Sequence, residues 1–230
     1  MHEQSQDMVS IRRRTGCGSC LHRRCGRCPP TVRRKRKNVQ RAFLGAMETQ
    51  MQIGCYPSET GSPADLTERE RTELQTAYTS RVEQYYTEEN PCRKRYIALN
   101  EDFLTACDSD VEYSVSGGVA DCRFDSVRLY ADRMTAVVQA QTVVWDKRIS
   151  GNPEQGFSVE LPVNRDTITA TMKKENGVWK LDSIDSQISL SAAVPADDEV
   201  CRERYPSFET ARQAADSIDD QAYIKEARFA

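Results

Sequence analysis

The chain has 230 residues, 26.1 kDa and a formal net charge of −3, enough for one good-sized domain with appendages and a substantial core. No apolar run approaches the roughly 18 to 20 residues of a membrane helix, since the stretch Ala42–Met47 stops at Glu48, and neither a transmembrane helix nor a standard secretory leader is readable. The small net charge conceals a division: residues 1–42 carry twelve Lys/Arg against Glu3 and Asp7, net +10, and the remainder 20 against 33, net −13, so the two parts need separate explanations.

Residues 1–41 are polar, Arg-rich and without a hydrophobic period, the composition of a disordered tail. Two C-x-x-C pairs, Cys17/Cys20 and Cys25/Cys28, lie in it. Four thiolates satisfy Zn²⁺, but the pairs stand closer together than in common zinc modules, so zinc binding and an unstructured tail both remain open. The run Arg33–Lys37 suits phosphate backbones or anionic lipid. No aromatic interleaves with it to stack bases, which argues against nucleic acid and leaves a solvated tail as the plainer reading. Met51–Cys55 and the turn-forming stretch after it form a linker. A basic segment, a short apolar patch and Gly54-Cys55 follow the order of a bacterial lipoprotein signal, which makes Cys55 a lipidation candidate and the preceding residues a candidate for membrane association. Glu48, Gln50 and Gln52 interrupt the apolar part, and an ordinary free cysteine is the alternative.

Thr67-Glu-Arg-Glu70 is a capping box followed by Leu74, Tyr78, Val82 and Tyr85 at helical spacing, predicting a helix over 68–88. Asn90 as N-cap and Pro91 at the first helical position start a second, over 91–106, with Tyr96, Leu99 and Phe103 on one face. Strands follow: 123–130 and 134–145, the second placing Met134, Ala136, Val138, Ala140, Thr142 and Val144 together, then 157–163. Within Ile168–Ile184, Asn176-Gly177 marks a type I′ hairpin. Its return strand buries Trp179 and Leu181 and turns Val178, Lys180, Asp182 and Ile184 the other way. Ser207–Ala227 predicts a loosely docked C-terminal helix. The expected fold is α+β, with two N-terminal helices packed on a curved antiparallel sheet. Its divisions are a basic Cys-rich tail and linker at 1–65, the domain at 66–188, and a linker with the last helix at 189–230.

Asn90-Pro91-Cys92 opening the second helix, Cys107 at its end, the segment Val127–Val137 and the segment Lys173–Asp182 together resemble the NTF2-like (SnoaL-like, cystatin-like) domains of exported bacterial proteins. The chain is most similar to small actinobacterial lipoproteins of that type, which couple a V-x-V-x-G-D-x-A-x-V hairpin to a late G-x-W-K-(L/I). Ala131 stands where that hairpin usually has Gly, and the resemblance covers about residues 66–188. It implies a cone-shaped sheet around a helix and an extracytoplasmic or membrane-anchored protein. Cys92, Cys107, Cys122 and Cys201 are then disulfide candidates, Cys92–Cys122 with Cys107–Cys201 being one of three connectivities.

Enzymatic members of that superfamily set an Asp or His inside the cone. Here both histidines, His2 and His22, lie in the tail, so neither an imidazole base nor a Ser-His-Asp triad is available to the domain. Glu112, Asp121, Asp125, Asp132, Asp146 and Glu160 are the carboxylates to consider, most of them at turns or on polar faces. Tyr78, Tyr85, Tyr96 and Phe103 either line a pocket or fill a core. No Gly-rich phosphate loop is present. The expectation is a non-catalytic binding or scaffold module of the cell envelope with no catalytic residue and no cofactor beyond zinc in the tail. A small-molecule isomerase or cyclase using one buried carboxylate is the alternative, and a zinc- and nucleic-acid-binding tail the weaker one. The sequence names no partner beyond these; a homodimer stays open.

Overall fold

The computed structural model describes residues 30–55, 65–105, 111–193 and 199–227. Three helices, α1 (Pro30–Gln50), α2 (Glu68–Tyr85) and α3 (Pro91–Thr105), precede five strands, β1 (Val111–Leu129), β2 (Thr135–Asn152), β3 (Gly156–Glu160), β4 (Pro162–Glu175) and β5 (Val178–Ala193). Short helices α4 (Glu199–Arg202), α5 (Phe208–Asp216) and α6 (Asp220–Ala227) close the chain. All strand pairs are antiparallel in the order β1-β2-β4-β5, with β3 on β2, so the α+β class read from the sequence is the one observed. β3 and β4 pair with successive parts of β2 in one unbroken register, from Asn152↔Gly156 to Thr135↔Lys173, interrupted only at Leu161.

The tightest local signal folds as read. Asn176 and Gly177 take φ +50° and +85°, the left-handed pair a type I′ turn demands, and Trp179 and Leu181 are buried while Val178 is exposed. One detail departs. A β-bulge between the pairs Thr171↔Ser183 and Met172↔Leu181 leaves Asp182 as the extra residue, which flips the later parity and turns Ile184 inward against the core. Asp182 is held there by the Thr87 hydroxyl at 3.0 Å and Lys173 at 2.9 Å. Three further bulges interrupt β1 and bend it around the helices.

The main correction concerns the tail. Residues 30–50, expected as disordered chain to residue 41 and linker beyond, form α1, the helix on which the core is built. Val39, Phe43, Ala46 and Met47 fall at i, i+4, i+7 and i+8, one helical stripe, and are buried to 2% exposure or less. They meet the sheet face made by Ala136, Val138, Ala140, Val144, Ile168, Ala170, Met172, Trp179 and Leu181. Contacts run antiparallel along β1: Phe43 stacks edge-on against Phe124 at 5.8 Å, and further down Glu48 accepts from the Val119 amide. Helix α2 locks on from outside, where the Tyr86 hydroxyl just past its end donates to Ala46 O at 2.7 Å and Tyr78 to Thr49 O at 3.2 Å. The Thr67/Glu70 capping box is present. Asn90 caps α3 through the Cys92 amide at 2.8 Å and also donates to Leu181 O, tying α3 to β5.

The chain's end is the second correction. β5 continues to Ala193 instead of fading after Ile188, and the expected single C-terminal helix is two helices, α5 and α6, broken around Ser217. Docking is tight: Ala211 and Ala215 are fully buried against Tyr113, Val115, Ile149, Phe157 and Val159, on the sheet face opposite α1, since β2 alternates its side chains. The buried Lys147 fixes them, donating to Ala215 O at the end of α5 (2.9 Å) and to Asp220 Oδ1 at the start of α6 (2.7 Å). No helix among the described residues is long and apolar enough to cross a membrane.

Candidate functional site

The turn after α1 brings Met51–Cys55 back against β1, and Gly117 permits the approach. A Cβ there would strike Met51 O, so only glycine lets strand and turn backbones meet. Asn100 of α3 accepts from the Gly54 amide at 2.9 Å and donates to Gln75 of α2 at 2.6 Å, clamping the turn between helices. The result is a cleft of about 320 Å³ between the turn, α2 and β1. Leu74, Ala77, Tyr78 and Val115 supply its apolar wall, and Gln52, Cys55, Arg81 and Ser116 its polar groups.

Cys55 sits on this floor. Its thiol lies 3.2 Å from the Ser114 hydroxyl, which also donates to Asp146 Oδ1 at 2.8 Å; Asp146 in turn pairs with Arg148 at 3.2 Å. The chain has the order of a relay but the opposite chemistry. Burial, and after it the Asp146 charge, outweigh the Ser114 hydrogen bond and push the Cys55 thiol up to about 11, leaving almost no thiolate near neutral pH. It works as a latch holding the turn to β1 and β2. The Gln52 Oε1 atom is buried without a hydrogen-bond partner among the described residues.

A second polar set crosses the sheet face that α1 covers. Cys122, Thr142 and Asp166 are consecutive cross-strand partners on β1, β2 and β4. Burial raises the Asp166 carboxyl, and burial with Asp121 and Asp125 nearby pushes Cys122 up to about 12. Thr142 is fully buried, and its Oγ1 and Asp166 Oδ1 find no partner among the described residues. Glu48 is also raised, chiefly by burial, against the lowering effects of the Val119 amide and Arg81.

Of the carboxylates expected from sequence, Asp146 belongs to the latch. Asp132 accepts from Met134 N, Thr135 N and the Thr135 hydroxyl within its own turn, which lowers its proton affinity. Glu160 is exposed and accepts from Ser150, Asp125 is exposed, and Asp121 accepts from the Cys122 amide; the Glu112 side chain lies outside what the structure describes. The two carboxylates raised by burial, Glu48 and Asp166, are not among those candidates. Glu48 lies on α1 next to Met47, in a segment whose composition reads as tail and linker, and Asp166 lies between the expected strand 157–163 and the hairpin segment from Ile168. Tyr78 lines the cleft, while Tyr96 packs edge-on against Tyr86 at 5.6 Å.

The disulfide expectation does not hold. Cys92 and Cys122 are free thiols, as is Cys201. Cys92 opens α3 beside β5, while Cys122 lies on β1, three strands across the sheet, about 14 Å, where a disulfide needs Cα atoms under about 7 Å apart. Cys201 packs on the other sheet face beside Trp145. Cys107 lies outside the described residues, as do Cys17, Cys20, Cys25 and Cys28 with the zinc reading. Among the described residues no group of three metal-ligating side chains converges.

No family model matches the chain, and no curated protein matches it at significance. One solved structure, the intermembrane space region of chloroplast protein ARC6, is similar at 14% identity over 68% of this chain and 96% of that one, with a TM-score of 0.39.

Proposed function

We propose that the chain is a non-catalytic binding or scaffold module of the bacterial cell envelope, built on an NTF2-like domain. The observation that carries this reading is the filling of the sheet's inner face. Val39, Phe43, Ala46 and Met47 of the chain's own helix occupy the place where a cone-shaped enzyme would hold a substrate, and close-packed apolar side chains leave no room for a reacting molecule. The cleft beside Cys55 offers a thiol held protonated, an unpartnered amide oxygen and one arginine, a set suited to holding a ligand and without a base poised near neutral pH. A thermal-shift screen of small carbonyl compounds and hydrophobic acids tests it. The expected result is no stabilisation of the wild type, with small apolar molecules stabilising Phe43→Ala through the cavity it opens.

The alternative, an isomerase- or cyclase-like enzyme, is favoured by Asp166, whose proton affinity is raised by burial beside the orphaned Thr142 hydroxyl. Stabilisation of the wild type by a compound in that screen, abolished by Asp166→Asn, would replace the first reading with the second.

A further inference from the structure

Residues 33–38 of α1 lie outside the core. Arg33, Arg34, Lys35, Arg36 and Lys37 are exposed and have no ion-pair partner among the described residues. Five successive positions at 100° spacing put cations on every side of the helix. Like charges at i, i+3 and i+4 repel, and cations at a helix N-terminus oppose the macrodipole, so the arrangement weakens the helix that carries it until an anionic partner relieves it.

The rest of the structure says where this arm points. Because α1 runs antiparallel to β1, its basic half leaves the core at the end of the sheet that carries the β1–β2 turn. Pairing of Thr135 with Lys173, and the bond from Lys174 N to Met134 O at 2.8 Å, put the β4–β5 turn at the same end. From Phe43 up α1 to Pro30 is about 20 Å, and from Phe124 along β1 to Tyr130 also about 20 Å, so helix tip and turn reach one level. That end carries all three large hydrophobic side chains recorded as exposed among the described residues: Tyr130, Met134 and Val178, each about half exposed (55%, 48% and 52%). Arg128 and Arg133 beside them are exposed. Of the acidic groups at this end, Asp132 is held within its turn, Glu175 pairs with Lys180 and Asp182 with Lys173, while Glu88, whose amide donates to Glu175, and Glu89 are exposed beside the β4–β5 turn.

We infer that this end of the domain docks on an anionic lipid bilayer, with the arm and Arg128/Arg133 meeting headgroup phosphates and Tyr130, Met134 and Val178 entering the headgroup boundary. A polyanion such as duplex nucleic acid would use the cations alone. An aromatic with apolar neighbours at the tips of adjacent hairpins, ringed by cations, fits a surface that is anionic outside and apolar beneath. The acidic remainder of the chain, net −13 beyond residue 42, would be held away by a Debye length of about 8 Å. The inference goes beyond the binding-module reading and does not depend on what the inner face holds.

The test is co-sedimentation of the full chain with vesicles of phosphatidylcholine alone and of phosphatidylcholine mixed with phosphatidylglycerol. Binding is expected only to the mixed vesicles and is lost at high salt. Each Lys/Arg near an anionic surface contributes about fivefold in affinity, so changing Arg33, Arg34, Lys35, Arg36 and Lys37 together to Gln weakens binding on the order of a thousandfold. Tyr130→Ser with Met134→Ser weakens it at least tenfold at unchanged salt dependence, and both variants keep the wild-type far-ultraviolet circular dichroism and thermal midpoint to within a few degrees because they lie outside the core. Absence of binding to mixed vesicles overturns the inference. So does binding to duplex DNA of equal strength that the Gln variant loses and the Ser variant keeps, which would assign the arm to nucleic acid.

Discussion

The clasp between sheet and C-terminal helices makes an asymmetric prediction. Lys147 is buried, its side chain 4% exposed, and its ammonium has two acceptors, Ala215 O and Asp220 Oδ1, while Asp220 is 32% exposed and also accepts from Ser116 at 3.2 Å. Asp220→Ala leaves a buried ammonium with one neutral acceptor. Such orphaning costs about 3 to 5 kcal/mol where both partners are buried, and the solvent reaching Asp220 brings the expectation to about 2 to 3. At about 2 to 4 °C per kcal/mol for a chain of this size, Tm falls by about 4 to 12 °C. Lys147→Met removes the desolvation cost with the charge, keeps the stem's packing, and leaves Asp220 within reach of water, so its cost stays below about 1 kcal/mol. Thermal unfolding by circular dichroism gives the ranking, and hydrogen exchange in α5 separates local detachment from global loss. Equal destabilisation by the two variants, or a worse Lys147→Met, would show that the pair itself stabilises the fold and that the desolvation argument is wrong.

Gly177→Val should cost about 1 to 2 kcal/mol through backbone strain alone, because φ is +85° and nothing lies within 4 Å of the added Cβ; unchanged thermal stability would remove the register argument for the hairpin. Asp166 has its carboxyl raised in the fold, so the wild type loses stability as pH climbs from the unfolded value through the folded one. Asp166→Asn should therefore have the higher Tm at pH 7 and no such advantage at pH 3, and the reverse order would reveal a partner for the anion. Native Cys55, its thiol pushed up to about 11 chiefly by burial, should alkylate about a hundredfold more slowly than in unfolded chain at pH 7, and mass spectrometry showing equal rates would contradict its burial. Ser114→Ala should speed Cys55 modification by loosening the turn, although it removes the hydrogen bond that lowers the thiol's proton affinity.

What the sequence made legible was mostly local chemistry. The Thr67/Glu70 box, Asn90-Pro91 and Asn176-Gly177 each act through atoms a few residues apart, and each is found in its expected geometry. What escaped needed knowledge of the partner surface. The stripe Val39, Phe43, Ala46, Met47 was present to be read, but the Arg/Lys run before it and the Glu and Gln after it dilute any window average, and only a sheet on the other side makes four apolar residues a core. The Asp182 bulge left no mark, because an inserted residue does not change composition, yet it decides which way Ile184 faces. Lys147 lies beyond the strand expected over 134–145, and its burial depends on helices more than 60 residues further on. Paired disulfides follow from the resemblance to exported domains, and sheet order, invisible in spacing, separates Cys92 from Cys122.

One helix serves two purposes, and the division falls at a single residue. From Val39 onward α1 is the plug that fills the sheet; at residues 33–37 the same helix carries five successive exposed cations. A flexible basic tail would have to give up conformational entropy on meeting a charged surface, about 1 to 2 kcal/mol for each backbone residue ordered, whereas a rod anchored by Phe43 and Met47 has already been ordered by folding. Lengthening the rod cannot change the core, and changing the core moves the rod. Substitutions at Val39 or Phe43 should therefore alter surface binding through position even where they leave every charge in place, while Gln substitutions at residues 33–37 should alter binding and leave the core's stability unchanged or slightly improved as repulsion is relieved.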